Sequence, residues 1–306
     1  MAIPTTPETW LSGYIPDLPT PFDEGGAVDL TAFRGLCERQ IAAGVSALVV
    51  GETAGESSTL SLSEHERIIR AAVELARGRS RVIAGAGSNS TQHAIDLTRC
   101  AETAGADAVL SVVPYYNKPM QEGIYEHFRA IAASTSLPVI VHDVASRTMR
   151  EIANSTLARL AEFPQFAGLR DGSGDLTRPM RLTALLPSRF RYLTGDDATA
   201  LAYLANGGDG CISTISNVTP SLCQKILAGI RHGRLQAAWD LQKRLMPLQA
   251  CLSGGTPAAL KYALGLLGLM DPATRLPIVE LDEPAKAAVA IALAGIDEDQ
   301  PAIVEG

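Results

Sequence analysis

The sequence predicts an α/β fold, a (β/α)8 TIM barrel followed by a C-terminal helical region. Eight short apolar segments, each followed by a helical pattern, succeed one another within about 230 residues, the count and spacing of such a barrel. Residues 233–296 carry a nearly continuous helical pattern. We therefore expect a barrel over residues 1–232 and a helical region over 233–306, whose last residues, 297–306, form an acidic tail.

The first four strand–helix units occupy the first part of the chain. The first strand is expected within Gly13–Phe22, where prolines interrupt it, and a helix follows near Leu30–Ala43. The next strands and helices are predicted at Val45–Val50 and Ser63–Arg77, at Val82–Gly85 and Thr91–Ala104, and at Ala106–Val113 with a helix ending near Ser134. Ser63 is the expected N-cap of its helix, because Glu66 stands at capping-box distance.

The remaining units follow the same alternation. Strands are predicted at Pro138–His142, from Phe166 onward, at Phe190–Leu193 and at Gly210–Ser213, with helices ending near Glu162, spanning Leu176–Leu186 and following Pro220. Along the strand from Phe166, alternation places Arg170 on the face opposite to Leu169. If Leu169 packs outward against helices, Arg170 points into the barrel, where a guanidinium needs an anion.

Composition and charge exclude several function classes. The chain of 306 residues is 46% hydrophobic and has a net charge of −7, with no basic stripe that would follow nucleic acid or an anionic membrane. No signal peptide and no membrane-spanning run is visible, and the five cysteines are scattered without CxxC spacing. We expect a cytoplasmic protein that uses no cofactor and, because the histidines lack ligand spacing, no metal.

Polar residues at the ends of the predicted strands are the candidate site, because chemistry in such a barrel lies at the C-terminal ends of its strands. A competing signal is Gly85-Ala86-Gly87, which stands between a strand and a helix as a dinucleotide fingerprint would. Its third glycine is replaced by Ser90, and eight repeating units fit a barrel better than a doubly wound sheet. The dinucleotide interpretation is therefore disfavoured.

Six motifs at these positions resemble one family across essentially the whole chain. They are Thr20-Pro21-Phe22, Thr53-Ala54-Gly55-Glu56-Ser57, Pro114-Tyr115-Tyr116-Asn117-Lys118-Pro119, Ser146-Arg147-Thr148, Gly195-Asp196-Asp197 and Gly210-Cys211-Ile212-Ser213. Their types and order resemble the dihydrodipicolinate synthase and N-acetylneuraminate lyase family of pyruvate-dependent Schiff-base lyases. The paired tyrosines and the Ser-Arg pair are more similar to the dihydrodipicolinate synthase branch.

The resemblance implies roles for particular residues. Arg147 helps to bind the carboxylate of the aldehyde substrate, and Tyr116 reaches across a dimer interface and relays protons together with Thr53. The positions implied to surround pyruvate are Thr53, Ala54, Gly195 and Ile212. The resemblance also implies a homo-oligomer, a dimer at least and a tetramer by analogy with the family, with a small oxo-acid ligand and without nucleic-acid or membrane partners.

The sequence departs from the family pattern where its chemistry is centred. The imine-forming lysine falls at Arg170 and a relay tyrosine at His142, while Ala54 replaces a threonine. Asp17 and Glu52 add carboxylates where the family is usually small or neutral. Schiff-base formation needs an unprotonated amine, whereas a guanidinium stays protonated and is a poor nucleophile. The sequence thus predicts that the usual imine chemistry does not run.

Three hypotheses follow from these residues. The first is a rebuilt lyase acting on a small oxo or hydroxy acid, in which Arg170 and Arg147 bind carboxylates. His142, Tyr116 and Thr53 would then move protons. The second is a catalytically silent carboxylate-binding barrel or a partner subunit of an active paralogue, and the third is standard synthesis by another mechanism.

Two structural interpretations of the same residues stay open beside these hypotheses. His142 could fill a core position, hydrogen-bonded to Thr53 or backbone. Arg170 could form only an internal ion pair with Asp17 or Glu52.

Overall fold

Eight parallel strands alternate with helices in the computed structural model, which describes residues 7–253 and 256–296. The strands are β1 Gly13–Pro16, β2 Ala47–Val50, β3 Arg81–Gly85, β4 Ala108–Val112, β5 Val139–Asp143, β6 Phe166–Asp171, β7 Arg191–Thr194 and β8 Gly210–Ser213. From β2 to β8 each strand pairs in parallel with the next strand of the sequence, and β1 pairs in parallel with β8. The predicted (β/α)8 barrel is confirmed.

The barrel closes between β1 and β2 just beyond the end of β1. Asp17 forms a parallel bridge with Val49, and the Leu18 backbone N–H donates to the Val49 carbonyl over 2.9 Å. On its other side, the Asp17 N–H donates to the Ser213 carbonyl of β8 over 2.9 Å. Asp17 therefore stands at the seam where the first, second and last strands meet.

Thirteen α-helices are present in the part of the chain that the structure describes. They are α1 Pro7–Trp10, α2 Leu30–Ala42, α3 Leu62–Ala76, α4 Thr91–Ala104, α5 Gln121–Ala132, α6 Ala145–Thr148, α7 Asn154–Leu160, α8 Arg178–Thr183, α9 Ala200–Ala205, α10 Pro220–Arg231, α11 Leu235–Leu252, α12 Pro257–Leu266 and α13 Glu283–Ala294. Within the described ranges, no helix has the length and apolar character needed to cross a bilayer. The acidic tail predicted at 297–306 lies outside the described residues.

The predicted cap of α3 is wrong by two residues. Ser61, not Ser63, is the N-cap, and it forms a capping box with Glu64. Two overlapping Ser-x-x-Glu patterns occur here; the Glu64 of the earlier one also forms an ion pair with Arg275, whereas the Glu66 of the later one pairs with Arg70. The helix expected to end near Glu162 is α7, and the segment between it and β5 contains a further short helix, α6, that the sequence did not predict.

Apolar side chains form two layers, one inside the barrel and one between strands and helices. Leu169 of β6 is buried in the outer layer, whereas Leu193, the register partner of Arg170 on β7, belongs to the interior cluster. Because side chains alternate along a strand, Arg170 points inward from the position next to Leu169. The predicted orientation of this arginine is confirmed.

The helices that follow the barrel help to position the loop after β2. Lys261 of α12 is fully buried, forms an ion pair with Glu56 and lies 4.0 Å from the centroid of the Phe22 ring. The backbone N–H of Arg275 donates to the second carboxylate oxygen of Glu56 over 3.0 Å. These contacts fix the end of the segment that begins at Glu52.

Candidate active site

A cavity of about 590 Å³ opens at the C-terminal ends of the strands. It brings together seven of the predicted site residues, namely Asp17, Thr53, Ala54, His142, Arg147, Arg170 and Gly195. Glu52 is buried directly behind its wall and contacts two of them. The volume of the cavity falls within the range of small-molecule sites, and the cavity lies where barrel enzymes usually have their active site.

Besides Glu52, two predicted site residues do not line this cavity. Ile212 is fully buried in the interior cluster of the barrel and does not line the cavity wall. Tyr116 lies in the loop between β4 and α5 with 88% of its surface exposed, and its φ of 71° is in the left-handed region. The role that the resemblance implies for Tyr116 requires a second subunit, so it stays a prediction.

Arg170 lies at the floor of the cavity with only 5% of its surface exposed. Its Nη1 donates to Asp17 Oδ2 over 3.0 Å and to Glu52 Oε2 over 2.8 Å. Within residues 7–253 and 256–296, neither Nε nor Nη2 donates a hydrogen bond, and Nε is fully buried. One nitrogen thus meets both carboxylates, while the Nε–Nη2 edge is uncommitted.

Gly195 leaves space beside that edge. A Cβ added at this position would lie 3.2 Å from Arg170 Nε and 3.4 Å from its Cγ, closer than most side-chain contacts. Gly195 also lines the cavity. A glycine at the end of β7 therefore leaves the Nε side of the guanidinium uncrowded by a side chain.

Glu52 uses both of its carboxylate oxygens. It follows β2 after Gly51, whose φ of 65° allows the chain to turn back toward the barrel axis. Its Oε2 accepts from the Thr53 backbone N–H as well as from Arg170, and its Oε1 lies 2.9 Å from His142 Nδ1. Although burial alone would raise the pKa of Glu52, His142 and Arg170 hold it well below the usual range.

His142 and Arg170 are register partners on β5 and β6, so their side chains stand beside each other. Burial lowers the pKa of His142, and the attraction of Glu52 opposes this effect only in part. The imidazole is therefore neutral, with its proton on Nδ1 facing the Glu52 carboxylate, which leaves Nε2 as an acceptor. The partner of His142 is Glu52 rather than Thr53, contrary to the structural interpretation considered from the sequence.

Asp17 differs from Glu52 in both contacts and protonation. Burial raises the pKa of Asp17 to about 7, against the lowering effect of Arg170, and the neighbouring charge of Glu52 raises it further. Its Oδ2 accepts from Arg170, whereas Oδ1 is buried and accepts no hydrogen bond from any described residue. Two carboxylates that share one guanidinium thus have different proton affinities.

The rim of the cavity comes partly from elements without sequence motifs. Arg147 of α6 is exposed at the mouth, while Gln249 of α11 and Leu260 of α12 contribute buried wall. The sequence analysis missed Gln249, whose Oε1 is buried without a partner among the described residues. A glutamine on the apolar face of a helix was the available signal. Among residues 7–253 and 256–296, no cluster of three His, Cys, Asp or Glu side chains could hold a metal ion.

Comparisons with known proteins agree on one family. The sequence profile of the Dihydrodipicolinate synthetase family matches residues 10–295. A curated relative from Hyphomonas neptunium, named 4-hydroxy-tetrahydrodipicolinate synthase, is 48% identical over 290 residues, which cover 93% of this chain and 99% of the relative. A crystal structure of dihydrodipicolinate synthase from Bacillus anthracis superposes with a TM-score of 0.91 at 35% identity, covering 94% and 98% of the two chains.

A third comparison concerns a ligand-bound relative. The chloride-inhibited dihydrodipicolinate synthase from Acinetobacter baumannii, complexed with pyruvate, has a TM-score of 0.89 and 38% identity to this chain, covering 93% of it and 98% of the relative. The likeness extends over the barrel and the C-terminal helices alike.

These findings correct the function expected from the sequence. The expectation was a diverged paralogue in which the synthase chemistry does not run, with a silent binding subunit as the alternative. Relatives that share 48% and 45% of their residues over 93% of the chain are named as synthases, which favours an active synthase. The prediction was wrong because an arginine at position 170 excludes an imine at that residue but does not by itself exclude the synthase reaction.

Proposed function

The chain belongs to the dihydrodipicolinate synthetase family, and we propose that it acts as a 4-hydroxy-tetrahydrodipicolinate synthase, a lyase. The observation that carries this proposal is the 48% identity over 93% of the chain to a curated relative of that name. The cavity at the carboxyl ends of the strands, with an uncommitted guanidinium edge at its floor, supports it.

The proposed substrates follow from the names of the relatives and from carbon counting. Pyruvate is bound in the solved relative from Acinetobacter baumannii. The product is a ring dicarboxylate of seven carbons and one nitrogen, so a three-carbon keto acid requires a four-carbon amino acid aldehyde as its partner. A cavity of about 590 Å³ is large enough for both small molecules.

Arg170 is the proposed binding group for pyruvate. The Nε–Nη2 edge of a guanidinium presents two parallel N–H donors, which match two neighbouring oxygens of an acid bidentately. In our proposal they hold the ketone oxygen and one carboxylate oxygen. Asp17 and Glu52 occupy Nη1 and thereby fix the orientation of the edge.

Position 170 holds arginine where the family resemblance places the imine-forming lysine, so the proposed synthase activates its ketone differently. A protonated guanidinium next to the ketone oxygen stabilises the negative charge that develops there when a C3 proton of pyruvate leaves. The C3–H electron pair then forms the double bond of an enolate. Its C3 attacks the aldehyde carbon, which forms the new carbon–carbon bond.

His142 and Arg147 are the proposed groups for the aldehyde substrate. Nε2 of the neutral His142 accepts a proton from the amino group as the amine adds to the ketone carbon and closes the ring, and it passes this proton to the former ketone oxygen. That oxygen then leaves as water with the remaining proton of the ring nitrogen, which forms the C=N bond of the product. Thr53 stands at the same wall and assists this transfer. Arg147, exposed at the cavity mouth, binds the carboxylate of the aldehyde.

We also propose that the chain assembles as a homo-oligomer, a dimer within a tetramer, and that it acts in the cytoplasm. Tyr115 is 38% exposed and Tyr116 is 88% exposed on one loop, and Met149 is also exposed. Large exposed apolar side chains favour a partner surface. In the proposed dimer, Tyr116 completes the site of the neighbouring subunit. Light scattering at micromolar concentration tests the assembly, and a monomer would contradict it.

The experiment that tests the function is direct turnover. The folded protein is mixed with pyruvate and the four-carbon amino aldehyde, and the cyclic product is followed by mass spectrometry. We expect product that depends on both substrates. Absence of product, from protein that calorimetry shows to bind pyruvate, would contradict the proposed activity.

A parallel sample tests the role of Arg170 in the same reaction. Protein is treated with pyruvate and borohydride, and its intact mass is measured. Since a guanidinium forms no reducible imine, we expect an unchanged mass during turnover. A stable pyruvate adduct would place the chemistry on a lysine and overturn this role.

A further inference from the structure

We infer that Asp17 is a catalytic residue, the group that takes the C3 proton of pyruvate through its Oδ1 and returns it to the alkoxide. This inference rests on the proposed synthase activity. It concerns a residue that the sequence pattern suggested only as a charge partner of Arg170. Four properties of the site carry it, namely the fixed backbone of Asp17, its free oxygen, the contrast with Glu52 and the nearby cavity.

The backbone of Asp17 is held from both sides. Its N–H donates to the Ser213 carbonyl over 2.9 Å, and its carbonyl accepts from Asn217 Nδ2 over 2.8 Å. It also bridges to Val49, where the barrel closes. A side chain on such a seam has little freedom, so its carboxylate stays in one place at the cavity floor.

One oxygen of the Asp17 carboxylate accepts a hydrogen bond, and the other does not. Oδ2 accepts from Arg170 Nη1 over 3.0 Å, while Oδ1 is buried and lacks any hydrogen bond within residues 7–253 and 256–296. Only 1% of Asp17 is exposed, and the residue lines the cavity that Arg170 also lines. A buried carboxylate oxygen without a partner is costly unless a ligand supplies a proton to it.

Glu52 is the natural competitor for this role, and its contacts exclude it. One of its oxygens accepts from Arg170 and from the Thr53 N–H, and the other contacts His142. It does not line the cavity. Glu52 therefore orients its neighbours, and Asp17 is the carboxylate of the pair that has an oxygen available.

The proton transfers balance within the proposed reaction. Asp17 in its ionised form accepts the C3 proton, and the electron pair of the broken C–H bond becomes the enolate double bond beside Arg170. After C3 has attacked the aldehyde, the new alkoxide oxygen takes the same proton from the Asp17 carboxylic acid. The carboxylate is then regenerated, and no further reactant is needed.

The proton affinity of Asp17 suits both transfers. Its pKa is raised by burial to about 7, so both protonation states occur near neutral pH. Groups whose pKa lies near the working pH serve best as general acid and base. The pKa of Glu52, by contrast, is held well below its usual value. Because their environments differ, Asp17 can gain and lose a proton near neutral pH, whereas Glu52 stays negatively charged.

The test measures exchange of the pyruvate methyl protons in D₂O by NMR, without any aldehyde. We expect the wild-type protein to exchange them, because enolate formation is the first proposed step. Asp17→Asn keeps the shape and removes the base, so exchange should fall by about 100-fold or more. Titration calorimetry with pyruvate should show that this variant still binds the acid.

The matched control is Asp196→Asn. Asp196 lines the same cavity, but its Oδ1 accepts from the Ala198 N–H over 3.1 Å and its Oδ2 from Thr199 Oγ1 over 2.8 Å. Because both oxygens are occupied, we expect this variant to exchange at nearly the wild-type rate. Asp17→Ser provides a second small polar substitution, with the same expected loss, in case Asp17→Asn does not fold.

The outcomes separate this inference from the proposed function. Wild-type exchange together with unchanged exchange in a folded Asp17 variant would overturn the role of Asp17 and leave the synthase proposal intact. An equal loss in Asp196→Asn would also overturn it, because the effect would then reflect any cavity carboxylate. Wild-type protein that neither exchanges pyruvate protons nor forms product would overturn the function itself.

Discussion

Arg170 and Arg178 are two buried arginines that stand close together in the sequence and use their donors in opposite ways. Arg178, with 1% of its surface exposed, lies 2.8 Å from Asp143 Oδ2 and 2.9 Å from Asp171 Oδ1 through Nη1. Its Nη2 donates to a backbone carbonyl, and its Nε donates to an asparagine oxygen. Every nitrogen of this guanidinium has a protein partner.

Arg170, like Arg178, makes both of its carboxylate contacts through Nη1, but the two arginines differ at Nε and Nη2. Nη1 meets Asp17 and Glu52, whereas no described residue accepts from Nε or Nη2. The guanidinium is nevertheless buried, so a protein without a ligand leaves part of its donor capacity unsatisfied. A buried guanidinium with unused N–H donors is expected where a bound molecule accepts hydrogen bonds from them.

Strand β6 contributes to both arrangements. Arg170 and Asp171 are consecutive on β6, so one side chain faces the barrel interior and the other faces the helices. Asp171 joins a closed network with Arg178 of α8 that links strand to helix. The closed network of Arg178 stabilises the fold. The network of Arg170, which has unpaired donors, lies in the proposed site.

The largest expected effect comes from breaking the closed network. Arg178→Met should lower the free energy of unfolding by about 3–5 kcal/mol, because it leaves two buried carboxylates unpaired. Chemical denaturation measures this loss. The control, Arg181→Met, removes a pair with Asp175 at the surface and should cost less than about 1 kcal/mol. Equal stability of the two variants would show that the network contributes little.

Removal of Arg170 should cost less stability than removal of Arg178. In Arg170→Met, Glu52 keeps His142 and the Thr53 N–H as partners, and Asp17 can take a proton near neutral pH. We expect a loss of about 1–3 kcal/mol in the same denaturation experiment. A loss as large as that of Arg178→Met would mean that Arg170 is structural, and the comparison would fail.

A smaller change crowds the Nε–Nη2 edge of Arg170 and leaves the arginine in place. Gly195→Ala adds a methyl group near Arg170 Nε, so pyruvate affinity should fall by roughly tenfold, or about 1.4 kcal/mol. Calorimetry measures this affinity. Gly35→Ala on α2, where nothing lies within 4 Å of the added carbon, is the control. Unchanged binding by Gly195→Ala would argue against ligand contact at this edge.

A further expected effect is the pH dependence of stability. Folding raises the pKa of Asp17 from 3.8 to about 7, mainly through burial. Its favourable contribution is therefore fully present below pH 3.8 and is lost as pH rises through 7. Relative to the wild type, the melting temperature of Asp17→Asn should rise by about 2 °C or more between pH 5 and pH 8. A constant difference would show that the pKa of Asp17 is not raised.

Much of this architecture could be predicted from local patterns. Eight apolar segments with helices between them gave the barrel, and alternation around Leu169 gave the inward direction of Arg170. The placement of polar residues at strand ends predicted most of the cavity. The division between barrel and helical region at residue 232 and the oligomeric state stay predictions.

Other features depend on distances that a sequence does not contain. Asp17 and Glu52 come from different strand ends, and only the closed barrel brings both to one nitrogen of Arg170. Gln249 enters the cavity because α11 crosses its edge. The N-cap of α3 was ambiguous because two Ser-x-x-Glu patterns overlap at Ser61 and Ser63, and tertiary contacts of Glu64 with Arg275 favour the earlier one.

The most direct test of the open edge is the affinity of the folded Arg170→Met variant for pyruvate. Circular dichroism first establishes a temperature at which both the variant and the wild type are folded, and titration calorimetry then compares their binding. If Arg170 holds the acid, binding should weaken by about 2–5 kcal/mol, the usual loss when a buried charged partner is removed. Equal affinity of the two proteins would contradict the account.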